Sequence, residues 1–353
     1  MNASSSAASP VPERSAADQA PNGPTSRAGA ACPDQPTPAA GSKLAVIGAG
    51  AVGASVAYAA LLRGSARTIA LYDIKTAKVD AEVLDLAHGS PLASGARIIG
   101  GDDITCVQGA DVVVVTAGAA QKPGQTRLDL AGTNVKILDS LMPQLLEQAP
   151  DAIYVLVTNP CDVLTVAALQ VSGLPAGRVF SSGTVLDTSR LRNLLSARTG
   201  VSAGSIHATI IGEHGDSEFP LWSTATIGQV PLREFRTADG HAPFTREVLD
   251  DLGQQVARAA SEVIRGKGAT NLAIGVCAAR IVEAVLDDEH AVLPVSSLLT
   301  GEQGIEGVAM SMPSVVGRGG VVRRLDVPLD ERERRLLRAS AETLAGVQRG
   351  LGL

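Results

Sequence analysis

A chain of 353 residues is long enough for about two domains of ordinary size and for a sizeable buried core. Apolar residues make up 45% and charged residues 19% of it, close to ordinary globular usage. The net charge is -6, from 30 basic and 36 acidic side chains without a long Lys/Arg run, which argues against a nucleic acid or an anionic membrane as the main partner.

Residues 1–42 are rich in Ala, Ser, Pro and Gly and poor in large apolar side chains. Such a segment cannot offset its ordering entropy by burial, so it reads as a disordered tail. It has no apolar stretch of the secretory kind, and Glu13, Asp18 and Asp34 speak against a transit peptide. About 311 residues remain to fold. From Lys43 onward, short apolar runs predict strands at 44–48, 68–73, 97–100, 112–116 and 153–158. Helical patterns lie between or after them at 52–63, 75–87, 126–148 and 160–172. Continuous apolar strands alternating with helices predict a doubly wound parallel sheet. Leu44 to Leu62 carries no charge over 19 residues. Gly48, Gly50 and Gly53 interrupt it, so it reads as strand, turn and buried helix rather than a membrane span.

Beyond residue 183 the pattern becomes mixed. A helix at 187–199, a strand at 206–211, helices at 245–264 and 268–287, and short strands through 291–327 are expected. A last helix is capped by Asp330, carries Glu331 and Glu333 in its first turn and presents Leu336, Leu337, Leu344 and Val347 on one face. The predicted organisation is a tail (1–42), a Rossmann-type α/β domain (43–182) and a C-terminal α+β domain (183–353). Cys32, Cys106, Cys161 and Cys277 are far apart without a CxxC pair. That pattern fits three buried thiols plus one in the tail, a reduced, cytosolic compartment, and no metal motif.

The first strand runs into Gly48-Ala49-Gly50-Ala51-Val52-Gly53, a GxGxxG that opens a helix. Asp73 follows Gly53 by 20 residues, at the end of the second strand. In that context the glycines allow a tight turn and close approach of backbone to a pyrophosphate. The helix N-terminus offers N–H groups to phosphate. A carboxylate at Asp73 binds ribose hydroxyls and repels a 2′-phosphate, so NAD is expected rather than NADP.

Three further groups carry chemistry. His214 lies in Ile211-Gly212-Glu213-His214-Gly215-Asp216; an imidazole displayed on a glycine-rich loop suits proton transfer near neutral pH. Asp187 and Arg190 are three apart and share a helix face. An Asp there can orient an imidazole and an Arg can clamp a carboxylate, although the pair by itself also reads as a plain surface ion pair. The segment Ala117 to Arg127 leaves the C-terminal edge of the sheet. Gly118 and Gly124 in it suit a lid that delivers Arg127 to a carbonyl oxygen. Asn159, in Thr158-Asn159-Pro160-Cys161-Asp162, ends another strand at that edge and offers an amide donor.

Taken in order, GAGAVG, Asp73, QKPGQTR, TNPCD, LDTSR, GEHGDSEFP and KGATNLAIG resemble the lactate/malate dehydrogenase family over nearly the whole chain after Lys43. The resemblance implies His214 as proton donor and acceptor with Asp187 as its partner, Arg190 on the substrate carboxylate and Arg127 on the carbonyl. It implies Asn159 near both substrate and nicotinamide, and Thr270 near the substrate side chain. On the cofactor side it implies Ile274, Val52, Lys78, Gly118, Ala119 and Ser182 beside the glycines and Asp73. The family's malate enzymes carry Arg where this chain has Gln121. A neutral side chain there favours pyruvate and lactate over a second carboxylate. Arg192 and His207 match positions that in many bacterial members bind fructose 1,6-bisphosphate, and a homotetramer is usual. Malate oxidation, another 2-hydroxy acid, or a non-catalytic NAD-binding role are the competing readings.

Overall fold

The computed structural model describes residues 41–119 and 127–353, and for Arg127 and Leu128 the backbone only. The predicted tail up to residue 40, Gln121 and Gly124 lie outside the described residues.

In chain order the elements are Lys43–Ile47 (β1), Ala51–Arg63 (α1), Thr68–Tyr72 (β2), Thr76–Gly89 (α2), Arg97–Gly101 (β3), Val112–Val115 (β4), Arg127–Gln148 (α3), Ile153–Leu156 (β5), Cys161–Ser172 (α4), Val179–Ser181 (β6) and Val185–Thr199 (α5). There follow Ile206–His207 (β7), Ile210–Ile211 (β8), Phe219–Pro220 (β9), Thr226–Ile227 (β10), Val230–Pro231 (β11), Arg246–Lys267 (α6), Leu272–Leu286 (α7), Ala291–Leu293 (β12), Ser296–Thr300 (β13), Glu306–Ser311 (β14), Ser314–Gly317 (β15), Gly320–Arg324 (β16) and Glu331–Leu351 (α8).

The main sheet has the order β3-β2-β1-β4-β5-β6-β13-β14. Its first six strands are parallel, with Leu44 beside both Ile69 and Val112 and Val112 beside Ile153. Alternate residues of each strand feed opposite faces, which is why the runs are apolar throughout. Leu44, Val46, Ile69, Leu71, Val112 and Val114 pack with α1 and α7 on one face. Ala45, Ile47, Ala70, Val113 and Val115 meet Met142, Leu145 and Leu164 on the other. The sheet does not end with the nucleotide half. β13 pairs antiparallel with β6 through Ser296 and Ser181, and β14 pairs antiparallel with β13. α1 and α7 approach closely because Gly275 has no side chain; a Cβ there would stand 2.6 Å from the Ser55 carbonyl oxygen.

The structure departs from the sequence reading at several points. The single strand expected at 206–211 is two: β7 pairs with β10, and β8 with β9. The break is built at the start of α5, where Thr188 Oγ1 accepts the Ile210 N–H at 2.9 Å and the hydroxyl of Thr184, just before the helix, donates to the Ile210 carbonyl at 2.6 Å. The helix expected from 268 begins at Leu272, because α6 runs on to Lys267 and closes on Gly268 in the left-handed region. In α8, Asp330 and Glu333 form a reciprocal capping box. Leu337, Ala341 and Leu344 are buried there, whereas Leu336 is 37% exposed and falls off the core face. Cys161 and Cys277 are buried but Cys106 only half so. Among the described residues no helix is long and apolar enough to cross a membrane.

Candidate active site

The dinucleotide end is built from β1, α1 and β2. Gly48 turns with φ +103°, and a Cβ on Gly53 would lie 1.8 Å from the Gly48 carbonyl oxygen. The chain therefore folds back on itself more tightly than any side chain allows. At Gly50 nothing stands within 4 Å of where a Cβ would be. No side chain caps the N-terminus of α1, so its first-turn N–H groups have no capping oxygen there. An uncapped helix end behind a glycine cradle fits a pyrophosphate. Asp73 also braces the turn: Oδ2 accepts the Ala49 N–H at 2.7 Å and Oδ1 the Lys75 N–H at 3.0 Å. Val52 and Ile274 lie half-buried against the same core. Lys78 is exposed on α2, and Ser182 is buried after β6 with its N–H on the Leu156 carbonyl.

Gly118 and Ala119 follow β4. The buried Asn134 of α3 holds them: its Oδ1 accepts the Ala119 N–H at 2.8 Å, and its Nδ2 donates to the Asn159 carbonyl at 2.7 Å. One side chain thus ties the root of the expected lid to the Asn159 turn, whose Asn159-Pro160 peptide is cis. Asn134 lies mid-helix with no motif around it, so nothing in the sequence pointed to it.

The His214 loop connects β8 to β9. His214 Nδ1 stands 2.9 Å from Asp187 Oδ2, and Arg190 Nη1 donates to Asp187 Oδ1 at 2.5 Å. The first two turns of α5 thereby supply both an acceptor to the imidazole and a guanidinium beside it. The His214 backbone N–H donates to Asp162 Oδ2 at 2.7 Å, so TNPCD contributes a loop anchor besides Asn159. Glu218 Oε2 comes within 4.0 Å of His214 Nδ1. Neither Asp162 nor Glu218 stands out in the sequence: Asp162 lies 52 residues away, and only the turn of the loop brings Glu218, four residues on, back to the ring.

These contacts set the charges. Burial by itself would push the imidazole down. The hydrogen bond and charge of Asp187, with the Asp162 and Glu218 charges, outweigh it and bring His214 up to about 9. Burial likewise opposes ionisation of Asp187, but His214 and Arg190 hold its carboxyl below the usual range. Burial, then the Asp187 charge, pushes Glu218 up to about 8. Burial raises Asp162 to about 6. Asp187, His214 and Glu218 place ligand atoms within 4.8 Å of one another. Asp187, however, already divides its two oxygens between Arg190 and His214, and the guanidinium charge opposes a dication there.

Arg190 and Leu186 line an open cavity of about 590 Å³ together with Lys267, Thr270 and Leu272. Thr270 therefore shares a cavity with Arg190. Arg192 turns away from it and donates through Nε to the Ala208 carbonyl at 3.0 Å, next to the exposed His207. Gln121 and the Arg127 side chain lie outside the described residues.

The family models for the lactate/malate dehydrogenase NAD-binding domain and α/β C-terminal domain match residues 42–181 and 184–348. The L-lactate dehydrogenase of Bifidobacterium animalis subsp. lactis is 51% identical over 303 residues, 86% of this chain and 95% of that protein. That of Synechococcus is 48% identical over 305 residues, 86% of this chain and 98% of that one. The crystal structure of a lactate dehydrogenase from a Medee basin deep-sea metagenome library superposes with a TM-score of 0.84 at 35% identity, covering 88% of this chain and 99% of that one. The minor L-lactate dehydrogenase of Enterococcus mundtii does so with 0.83 at 38% identity, covering 88% of this chain and 98% of that one. With the glycine cradle and the His214 constellation in place, the chain belongs to the lactate/malate dehydrogenase family of NAD-dependent oxidoreductases.

Proposed function

We propose that the protein is an L-lactate dehydrogenase, with residues 43–182 as its NAD-binding half and 183–353 as its substrate half. The observation that carries this reading is the chain of contacts Arg190–Asp187–His214, an anion clamp and an oriented imidazole on one carboxylate. NAD held at the Gly48–Gly53 turn and Asp73 would supply the hydride acceptor for C2 of (S)-lactate and, when reduced, the hydride donor for pyruvate. Asp187 holds Nδ1 of His214, which leaves Nε2 to take the hydroxyl proton of lactate or return it to the oxygen of pyruvate. Arg190 leaves Asp187 Oδ1 for the substrate carboxylate, for which its planar fork is suited. Arg127 stabilises the developing charge on the carbonyl oxygen. Asn159 orients that oxygen, and Thr270 borders the substrate methyl group. Gln121 leaves a second carboxylate unpaired, which favours pyruvate over oxaloacetate.

Arg192 and His207 together offer cations for fructose 1,6-bisphosphate, and a homotetramer acting in the cytoplasm is the corresponding assembly. Replacing the proton carrier tests the core of this reading. His214→Asn should bind NADH as the native protein does, measured by its fluorescence, while pyruvate turnover falls by about 10²- to 10⁴-fold. Turnover within a few-fold of native would reject the assignment.

A further inference from the structure

The loop that carries His214 is fastened from outside the site. Gly212 exchanges both backbone hydrogen bonds with Ser311 of β14, its N–H donating at 3.0 Å and its carbonyl accepting at 2.9 Å. Asp162 takes the His214 N–H. A third fastening comes from α8, the last helix of the chain. Ser340, completely buried, accepts the Glu213 N–H on its Oγ at 2.7 Å. The same Oγ lies 3.0 Å from Ser217 Oγ, and the Ser217 hydroxyl donates to the Glu213 carboxylate.

The proton inventory is then closed. Ser217 spends its only O–H on Glu213, so between the two hydroxyls Ser340 is the donor and Ser217 the acceptor. Ser340 both accepts from the residue before His214 and donates to the residue three after it. The fit is tight: a Cβ on Gly212, whose φ is +99°, would stand 3.0 Å from Ser340 Oγ. α8 is tied a second time beyond β9, where Glu333 accepts the N–H and the hydroxyl of Ser223 at 2.9 and 2.6 Å.

We propose that Ser340 is a positioning residue for His214: its hydroxyl lets the C-terminal helix fix the loop that aims the imidazole at the substrate. The inference rests on the reading of His214 as the proton carrier. Ser340→Ala removes one acceptor and one donor without adding bulk. The loop stays pinned at Gly212 and at the His214 N–H, so binding survives while aim is lost. Misplacement of a reacting group by about 1 Å can cost on the order of 10²-fold.

The test measures pyruvate kcat, pyruvate KM, NADH affinity and thermal midpoint for Ser340→Ala, with Glu333→Gln as the comparison. Glu333→Gln loosens α8 away from the loop. Ser340→Ala should lower kcat by about tenfold or more, also in a single turnover with preformed enzyme–NADH. KM and NADH affinity should change little. Glu333→Gln should lower the thermal midpoint and leave kcat near native. Should Ser340→Ala fail to yield folded protein, Ser217→Ala breaks the same ring at a half-buried position and should give the same split, smaller in size. A Ser340→Ala kcat within twofold of native, or an equal kcat loss in Glu333→Gln, overturns the proposal. The His214→Asn measurement separates the two failures: if that variant turns over, the site reading fails, and if it is dead while Ser340→Ala is normal, only the positioning role fails.

Discussion

Asp187→Asn is the perturbation with the most calculable consequence. The imidazole stands at about 9 in the protein against about 6.5 unperturbed. That difference of about 2.5 pH units is a factor of about 300 in favour of the imidazolium, or about 3 kcal/mol. It is reached against burial, which alone drives the ring down, so the Asp187 hydrogen bond and charge supply the largest share. The amide keeps an oxygen within reach of Arg190, which leaves the carboxylate clamp in place. It removes the negative charge beside Nδ1. Reduction of pyruvate needs the protonated ring, so native kcat/KM should hold at neutral pH and fall as pH rises through about 9. In Asp187→Asn the fall should centre near or below the ordinary histidine value of about 6.5. Lactate oxidation leaves a proton on the ring and should lose about 10²-fold in kcat from the lost ion pair. A wrong tautomer adds to that, as an Asp-to-Asn change in a comparable His–Asp couple costs about 10⁴-fold. The assay is NADH absorbance against pH in both directions, with NADH affinity as the control. An Asp187→Asn profile whose midpoint coincides with the native one would refute the argument that this carboxylate sets the ring's charge.

Three other outcomes are expected. Gln121→Arg should raise kcat/KM for oxaloacetate relative to pyruvate by at least about tenfold, since a buried carboxylate gains a partner; an unchanged ratio would show that selectivity is set elsewhere. Gly53→Val should abolish NADH binding in a fluorescence titration, because even its Cβ would sit 1.8 Å from the Gly48 carbonyl oxygen; native affinity would contradict the cradle. Fructose 1,6-bisphosphate should lower the pyruvate KM of the native protein and leave that of an Arg192→Gln variant unmoved. Identical curves with and without the effector would exclude Arg192 and His207 as its site.

The parallel half of the fold was legible in the chain because both faces of its strands are buried. Four valines in a row at 112–115 have no other stable place. The glycine turn with Asp73 was legible for a similar reason: its chemistry is local, set by residues near in sequence. The same holds for the Asp330 cap, which acts within one helical turn. The two short strands of 206–211 were not legible as two, because what splits them is the hydroxyls of Thr184 and Thr188, one helix away. Nor was Leu336 separable from Leu337 by composition; the docking angle of α8 chooses between them.

Within the site the same division holds. Sequence alone set out which groups are available: an imidazole between glycines, an Asp and Arg three apart, and an acid after the second strand. Only the tertiary structure decided which of them meet. It brings Asp162 and Ser340 to the His214 loop, turns Glu218 of that loop back toward the ring, and brings Asn134 to the root of the lid. Asp162 is 52 residues from His214 in the chain, and Ser340 is 127 from the Glu213 whose N–H it accepts. A periodicity or a motif reports on neighbours along the chain. The partners that set a buried group's charge and direction are neighbours in space, and packing alone determines those.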